Sequence, residues 1–422
     1  MNQYKKIVQN FRECLAVAPL GIICLLFYLG LKSTVILDGG LHEFNGIYIP
    51  AYLGWYDFVL GYAIIFSFVI GSLKFELRDL YAGLVMLFVI LASWVGTYQA
   101  DKTFILAGIV CFLRFFVVFI FAISLVRRLS YFSAESVLIF AYGVLAASAI
   151  LWYTLQFGEQ NRMAASAMTP ASFGQVSALM CLIFYGRKYY IPLFFSFIFL
   201  FLSFSRTSLF LFIALIVIQN RQFFSWKIIK YALVFLVMGA VGIIIMTKYG
   251  GQGSEVVLAS RFDPEEISNL NGRSMIWTNA IEQISSGRIP LSGIGFHMSP
   301  SLIQENNLKF FRPESDSYYM PPHYHNIIVE YVLTLGIFST IVFISLLRRI
   351  WQTFTNNCTS AFFIFSFFLF SQIIDYTIFP PKEIIIFALM LGLAEGQWRY
   401  ENRSPGLNHS SEPKLLKNVK NV

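Results

Sequence analysis

Apolar runs of about 20 residues, the length that a membrane-crossing helix needs, recur along almost the whole chain. They predict an all-α, polytopic integral membrane protein with about twelve transmembrane helices. The first run has no clear small-residue cleavage site and is therefore predicted to be a retained span. The predicted limits are 15–31, 55–73, 80–98, 104–126, 134–156, 171–186, 189–205, 206–220, 229–247, 326–347, 360–379 and 383–398.

A single long polar segment, residues 248–331, interrupts this pattern and is the natural place for chemistry. It contains four arginines, three of the five histidines and a Gly293-Ile294-Gly295 turn. We predict nine N-terminal spans in 1–248, a large and partly helical external loop in 249–325, three spans in 326–398 and a disordered polar tail in 399–422.

Within the loop, Asn271 is a candidate helix cap, and apolar residues then recur on one face of a helix. That face is predicted to lie on the membrane surface or on the helical bundle. Its members are Ile276, Trp277, Ala280, Ile281 and Ile284.

Composition excludes a soluble globular protein. Hydrophobic residues make up 57% of the 422 and charged residues 13%, whereas soluble domains have about 25% charged residues. The five cysteines form no CxxC pair, so neither a disulfide framework nor a cysteine metal site is predicted. In a membrane protein, the net charge of +8 reflects basic cytoplasmic connections rather than a nucleic-acid partner.

The distribution of Lys and Arg predicts the orientation. Each short connection on one side has at least two basic residues, as in Arg127-Arg128 and Arg348-Arg349, whereas each short connection on the other side has one. Basic connections stay in the cytoplasm. Both termini are therefore predicted to be cytoplasmic, and the polar segment faces outward, which in a bacterium is the periplasmic side of the inner membrane.

Several arginines fall on the outward side. Arg206 begins a span in Ser205-Arg206-Thr207-Ser208. It either snorkels to lipid phosphates or joins hydroxyls and free N–H groups of a helix start in an anion site. Arg273, Arg288 and Arg162 are each either solvated loop residues or members of the same cationic cluster.

His325 stands where the loop enters the tenth span, with Asn326 beside it and Glu330 about one turn further on. A histidine at a helix start more often caps the helix or donates a hydrogen bond. Here His323 and the outward arginines favour a catalytic role for His325, because a histidine with a pKa near neutral suits proton abstraction from a hydroxyl. The sequence has no DxD, HExxH or P-loop pattern, and no metal or cofactor is predicted.

Arginines for a diphosphate, a histidine for a hydroxyl and a location at the outer membrane–water boundary indicate a lipid-diphosphate-linked glycan as substrate. The energy for transfer is stored in the sugar–diphosphate bond, and arginines stabilise the departing diphosphate.

Four segments in this order are similar to the O-antigen ligase and polymerase superfamily of bacterial envelope glycosyltransferases, over about residues 160–395. The family's signature His-Asn-x9-Gly-x-x-Gly ends in Ser339 here, so the resemblance leaves ligase and polymerase open. The segments are Asn161-Arg162 before Pro170, Ser203 to Ser208, Gly272-Arg273 with Trp277 and Pro290 to Gly295, and His325-Asn326 followed by Gly336.

The resemblance implies a GT-C-like fold, an undecaprenyl-diphosphate-linked glycan as donor, and metal-independent inverting transfer by a single displacement. It implies that Arg206 and Arg273 bind the diphosphate and that His325 activates the acceptor hydroxyl or organises its site. Further substrate contacts are predicted for Arg288, Arg162 and Asn326.

Three acceptors are compatible with this donor chemistry. The first choice is a ligase that acts on lipid A-core in lipopolysaccharide biosynthesis; a polymerase acts on another lipid-linked glycan, and a third variant acts on protein serine or threonine. A transporter or lipid flippase is the alternative of another class. Arg114, within a span, favours transport, whereas the lack of visible repeat symmetry opposes it.

Overall fold

The computed structural model describes most of the bundle and the second half of the polar segment. Predicted spans 15–31 and 229–247, nearly all of 55–73, Arg162 and the chain after residue 403 lie outside the described residues. The described residues are 35–37, 53–54, 76–95, 102–128, 142–151, 170–203, 205–219, 273–308, 310–312, 317–319, 323–356, 358–374, 376 and 381–403, with single positions at 61, 65, 68, 139 and 154.

Helices dominate the described residues, as predicted. The exceptions are two short antiparallel strand pairs, β1 with β2 and β3 with β4. In chain order the elements are β1 Val35–Leu37, β2 Leu53–Gly54, α1 Leu77–Trp94, α2 Lys102–Arg128, α3 Pro170–Arg187, α4 Tyr190–Leu202, α5 Arg206–Gln219, α6 Arg273–Ser285, α7 Ser299–Glu305, β3 Phe310–Arg312, β4 Ser317–Tyr319, α8 Ile327–Leu335, a 3-10 turn Gly336–Phe338, α9 Ser339–Thr355, α10 Thr359–Ile374 and α11 Pro381–Arg403.

Two helical stretches of the described chain are long and apolar enough to cross a membrane: Ala107–Ser124 within α2, and Ile327–Thr355, which joins α8 to α9. The other apolar helices are shorter; α4 and α5 have 13 and 14 residues. At 1.5 Å per residue each rises about 20 Å, less than the roughly 30 Å of a hydrocarbon core. The count of twelve crossings therefore stays a prediction.

The helices pack around one apolar core. It is built mainly from α2, α3, α10 and α11, whose inward side chains such as Phe173, Leu182, Phe367 and Phe387 are almost completely buried. Glycines allow the closest approach, because a Cβ on Gly392 of α11 would press on the backbone of Phe119 in α2.

The end of the bundle that contains Arg349 and Arg399 holds a buried ion network. Arg399 donates to Asp79 at 2.5 Å and to Glu395 at 2.6 Å. Arg349 approaches the other oxygen of Glu395 at 2.7 Å and lies over the Trp398 ring. Both carboxylates are 3% exposed, and their pairing offsets the cost of burying charge. The network joins α1, α9 and α11. Its two arginines, Arg349 and Arg399, both belong to segments that the sequence predicts on the cytoplasmic side.

The opposite end is where the polar segment attaches, and we call it the site end. The last residues of α1 and α10 and the starts of α3, α5 and α8 meet there. Gln372 donates to Gln175 at 3.1 Å, and Trp94 Nε1 donates to the Phe296 carbonyl at 3.0 Å.

Helix α6 begins at Arg273, two residues after the predicted cap Asn271, which lies outside the described residues, and only part of its predicted apolar face is buried against the bundle. Ile276 and Ala280 are buried, whereas Ile281 and Ile284 are exposed. Gln283 is buried in their place because its side-chain amide donates to Asn306 Oδ1 at 2.9 Å.

The predicted span 326–347 is interrupted at Gly336. Two stretches, Leu291–Gly295 and Leu333–Ile337, meet here, and we call this contact the glycine junction. The N–H groups of Ile294 and Gly295 donate to the carbonyls of residues 333 and 334 at 2.9 and 3.0 Å, and Ile337 N–H donates to the residue 291 carbonyl at 2.9 Å. Gly336 has φ +55, and a Cβ there would collide with the residue 291 carbonyl oxygen.

We expect Gly336→Ala to destabilise the protein strongly. The left-handed backbone alone costs a β-carbon about 1–2 kcal/mol, and the collision adds to this, for a total above about 3 kcal/mol. The midpoint of thermal unfolding in detergent measures the loss. Gly287→Ala is the matched control, since Gly287 also has positive φ, +71, but no atom within 4 Å of the added carbon. Equal losses in both variants would contradict the importance of the close approach.

Candidate functional site

Residues 323–326 lead from the polar segment into α8, and Asn326 fixes the helix start. Its Oδ1 accepts hydrogen bonds from the N–H groups of Ile328 at 2.8 Å and Val329 at 3.2 Å. These are two of the donors that a helix start leaves without an intrahelical partner. Asn326 is therefore an N-cap that orients the residue before it, and its predicted contact with substrate stays a prediction.

His325 has a strained backbone, with φ +54, a conformation uncommon in residues other than glycine. Its N–H donates to His323 Nδ1 at 3.1 Å, and its carbonyl accepts from the Tyr376 N–H at 3.3 Å. The side chain is half-buried. Strain held by surrounding contacts is found preferentially at functional sites.

The rings of His323, His325 and Tyr376 form one aromatic group. The centroids of the two histidine rings lie 4.3 Å apart, and those of His323 and Tyr376 lie 5.2 Å apart in a nearly perpendicular arrangement. Burial lowers the pKa of His323 well below its usual value, and nearby His325, Arg273 and His297 lower it further. His323 is therefore neutral at neutral pH.

Two residues at the start of α6 tie this helix to the site end. Arg273 Nη1 donates to the carbonyl of Ile374, the last residue of α10, at 2.8 Å. The final carbonyls of a helix lack intrahelical partners and carry partial negative charge. Trp277 Nε1 donates to the Tyr324 carbonyl at 2.9 Å. The indole N–H of Trp277 therefore holds the segment that contains the two histidines.

Glu330 lies in the first turn of α8 with only 3% of its surface exposed. One carboxylate oxygen accepts a hydrogen bond from Ser299 Oγ, and the other accepts from the Tyr324 N–H at 3.1 Å. The carboxylate therefore connects α7, α8 and the segment that contains His325.

Arg114 lies in the middle of α2 and is 4% exposed. Burial, and after it the charge of Arg114, together lower the pKa of His297 to about 4. His297 has φ +70 and belongs to the loop that α1 holds at Phe296. The structure thus relates Arg114 to the histidine cluster, a relation that the sequence left unassigned.

The three other predicted arginines, Arg206, Arg288 and Arg162, do not all lie near the histidines. Arg206 is exposed at the first position of α5, after Ser205, whose Oγ shares a hydrogen bond of 2.7 Å with Ser208. It lies at the site end. Arg288 is exposed three residues beyond the far end of α6, a helix whose 13 residues rise about 18 Å from Arg273. Arg162 lies outside the described residues. The structure therefore gathers His325, Asn326 and Arg273, has Arg206 at the same end and separates Arg288.

Three contributors were not singled out from the sequence: Ser299, Tyr376 and the Ile374 carbonyl. The first two are ordinary polar residues whose partners are distant in sequence, and a main-chain carbonyl has no sequence signal. Glu330 does have one, because it follows the N-cap by four residues and faces back towards it. Within the described part of the chain, no group of three His, Cys, Asp or Glu side chains is arranged to hold a metal ion.

Comparison with known proteins relates the chain to one family. Residues 191–344 match the family model described as O-antigen ligase. The resemblance predicted from the sequence is therefore confirmed over this segment, which extends from α4 into α9 and contains Arg206, Arg273 and His325. No curated protein matches the chain.

We expect the stability that neutral His297 contributes to the folded protein to be lost as the pH falls from 6.5 towards 4. The pKa of His297 is about 4 in the folded state and about 6.5 in an unfolded chain. Between these values the unfolded state binds more protons, so the free energy of unfolding rises with pH. The contribution is complete above pH 6.5 and amounts to about 3 kcal/mol.

Thermal unfolding of the purified protein between pH 4.5 and 7.5 measures this effect. Carboxyl groups titrate in the same range, so the comparison is with His297→Asn, which keeps a side chain tolerant of positive φ but has no titrating group. The variant should show a flatter dependence on pH. An unchanged slope would contradict the assignment to His297.

Proposed function

We propose that the protein transfers a glycan from an undecaprenyl-diphosphate donor to an acceptor hydroxyl at the periplasmic face of the inner membrane, a reaction suggested by the match of residues 191–344 to the family model described as O-antigen ligase. The observation that carries this proposal is the convergence of Arg273 with the His323–His325 pair at one end of an apolar bundle. A cation beside an imidazole suits a reaction in which a diphosphate leaves and a hydroxyl loses a proton.

The proposed reaction is one displacement. The acceptor oxygen attacks the anomeric carbon from the face opposite the diphosphate, so the configuration inverts. The bond between this carbon and the diphosphate oxygen breaks, and its electron pair leaves with undecaprenyl diphosphate. His325 takes the proton of the acceptor hydroxyl.

Arg273 and Arg206 would stabilise the charge that develops on the diphosphate. A guanidinium stays protonated and presents several donors in a plane, which matches phosphate oxygens. Arg206 adds the first N–H groups of α5 and the Thr207 hydroxyl, the usual components of a phosphate site at a helix start. Its position at the same end of the bundle as Arg273 supports a shared role.

For the acceptor, we propose lipid A-core, and hence a ligase, with repeat-unit polymerisation as the alternative. The departure from the ligase signature at Ser339 does not disturb the local fold. Gly336 requires a positive φ, whereas Ser339 has φ −58 within a helix start, and its Oγ donates to the residue 336 carbonyl at 2.7 Å. A serine is therefore compatible with the turn that the signature describes.

We expect purified protein in lipid vesicles to transfer glycan from an undecaprenyl-diphosphate-linked repeat unit in buffer that contains EDTA. Products are resolved by size with and without lipid A-core. A product that requires lipid A-core identifies a ligase, and a ladder from the donor alone identifies a polymerase. Absence of transfer under both conditions, with intact donor and folded protein, would overturn the proposed function.

We expect His325→Ala and Arg273→Ala to lower transfer at least about 100-fold, the scale on which loss of a general base or of one charge-stabilising donor acts. Arg206→Ala should have a comparable effect. The same vesicle assay measures all three variants.

Arg348→Ala is the matched control for the arginine substitutions, because Arg348 is exposed in α9 beside Arg349 of the ion network, away from the site end, and it should transfer normally. A transporter would instead require Arg114 and tolerate His325→Ala. Full activity of His325→Ala would therefore overturn the role given to that residue.

A further inference from the structure

Hydrogen bonds engage every backbone N–H and carbonyl group of Tyr324 and His325. His325 itself has φ +54, which a non-glycine residue keeps only when surrounding contacts oppose relaxation. Its own N–H and carbonyl are bonded to His323 Nδ1 and to the Tyr376 N–H. The two backbone polar groups of Tyr324 are bonded as well: its carbonyl accepts from Trp277 Nε1, and its N–H donates to Glu330 Oε2 at 3.1 Å.

Glu330 differs from the other partners because it joins three parts of the fold through one side chain. Its second oxygen accepts from Ser299 Oγ at the start of α7. Ser299 is fully buried, and Glu330 is 3% exposed. A buried carboxylate with both oxygens bonded in different directions has little freedom to rotate, so it fixes the Tyr324 N–H relative to α8.

We propose that Glu330 is a positioning residue that holds the His323–His325 segment, and with it the His325 imidazole, in the geometry for catalysis. The inference rests on the proposed function for its kinetic consequence, but the geometric part stands on the contacts alone. Glu330 acts through the Tyr324 backbone and α8, on which Asn326 also places the end of the same segment.

The charge of Glu330 is not what this role requires. Glutamine has the same shape and keeps both contacts, since its amide oxygen accepts from the Tyr324 N–H and its NH₂ group donates to Ser299 Oγ. Alanine removes both contacts and leaves two buried donors without acceptors. A residue that transfers protons would show the opposite pattern, because glutamine abolishes that chemistry.

We expect Glu330→Ala to lower kcat about 100-fold, the effect of a misplaced catalytic group, with the KM for the donor within about threefold of the wild-type value. Glu330→Gln should restore kcat to within about fivefold of wild type. Thr334→Val is the matched control. It removes a buried hydrogen bond one turn further along α8, from Thr334 Oγ1 to the Glu330 carbonyl at 2.7 Å, without contact to Tyr324, and kcat should change less than about threefold.

Hydrogen exchange of the same variants in nanodiscs supplies a measurement that does not depend on activity. Amides of residues 323–327 should exchange about tenfold faster in Glu330→Ala, while those of α3 and α10 keep wild-type rates. Glu330→Gln and Thr334→Val should match the wild type. Faster exchange throughout the bundle would mean a general loss of stability and would overturn the proposal.

The two failures are distinguishable. If the wild type transfers glycan and Glu330→Ala is fully active, the positioning role is wrong and the proposed function stands. If the wild type transfers nothing, the proposed function fails, and the local exchange rates still decide whether Glu330 holds the segment. An inactive Glu330→Gln with unchanged exchange would assign Glu330 a proton-transfer role instead.

Discussion

Three backbone hydrogen bonds at the glycine junction attach the polar segment to the helical bundle, next to the loop that carries His297 and Ser299. Where α8 ends at Gly336, N–H and carbonyl groups lose their helical partners, and such groups need replacements in an apolar surrounding. Leu291, Ile294 and Gly295 supply them. The absence of side chains at Gly293 and Gly336 allows the two backbones to come this close.

Further hydrogen bonds to α1 hold the loop that follows the glycine junction. Phe296 N–H donates to Ser93 Oγ at 3.0 Å, and its carbonyl accepts from Trp94 Nε1, so α1 holds the loop. His297 then lies close to Arg114 of α2, and Ser299 reaches Glu330 of α8. The loop that leaves the junction thus contacts side chains of α1, α2 and α8 and leads into α7.

Local signals in the sequence predicted much of the helical framework. The predicted spans 104–126 and 171–186 correspond to Lys102–Arg128 and Pro170–Arg187. Basic residues mark both ends of the first apolar run, and a proline and an arginine mark the ends of the second. The predicted span 326–347 likewise begins where α8 begins, at the residue that caps this helix. The break at Gly336 was not predicted, since the contacts made there are with residues 291–295, more than 40 positions away. Helix α11 also continues to Arg403, into the segment predicted as tail, where Arg399 pairs with Asp79 and Glu395.

For the candidate site, the identities of the residues could be predicted from the sequence, but their arrangement could not. His325, Asn326 and Arg273 were chosen from neighbours within a few positions, whereas their arrangement depends on contacts between distant parts of the chain. Arg273 is 101 residues from the carbonyl that it binds, and Ser299 is 31 residues from Glu330. A single sequence contains no information on such pairs.

The electrostatics of the cluster follow from how each side chain responds to burial. A buried histidine becomes neutral by losing its proton, and His297 and His323 do so, as their lowered pKa values show. An arginine keeps its charge, so Arg273 needs an acceptor and binds a carbonyl at a helix end. A carbonyl carries only partial charge, and a diphosphate is the stronger partner for this guanidinium. In the proposed transferase, the arginines therefore carry the positive charge that the leaving group requires. Since the neighbouring imidazole of His323 is neutral, a proton taken up by His325 meets no repulsion from it.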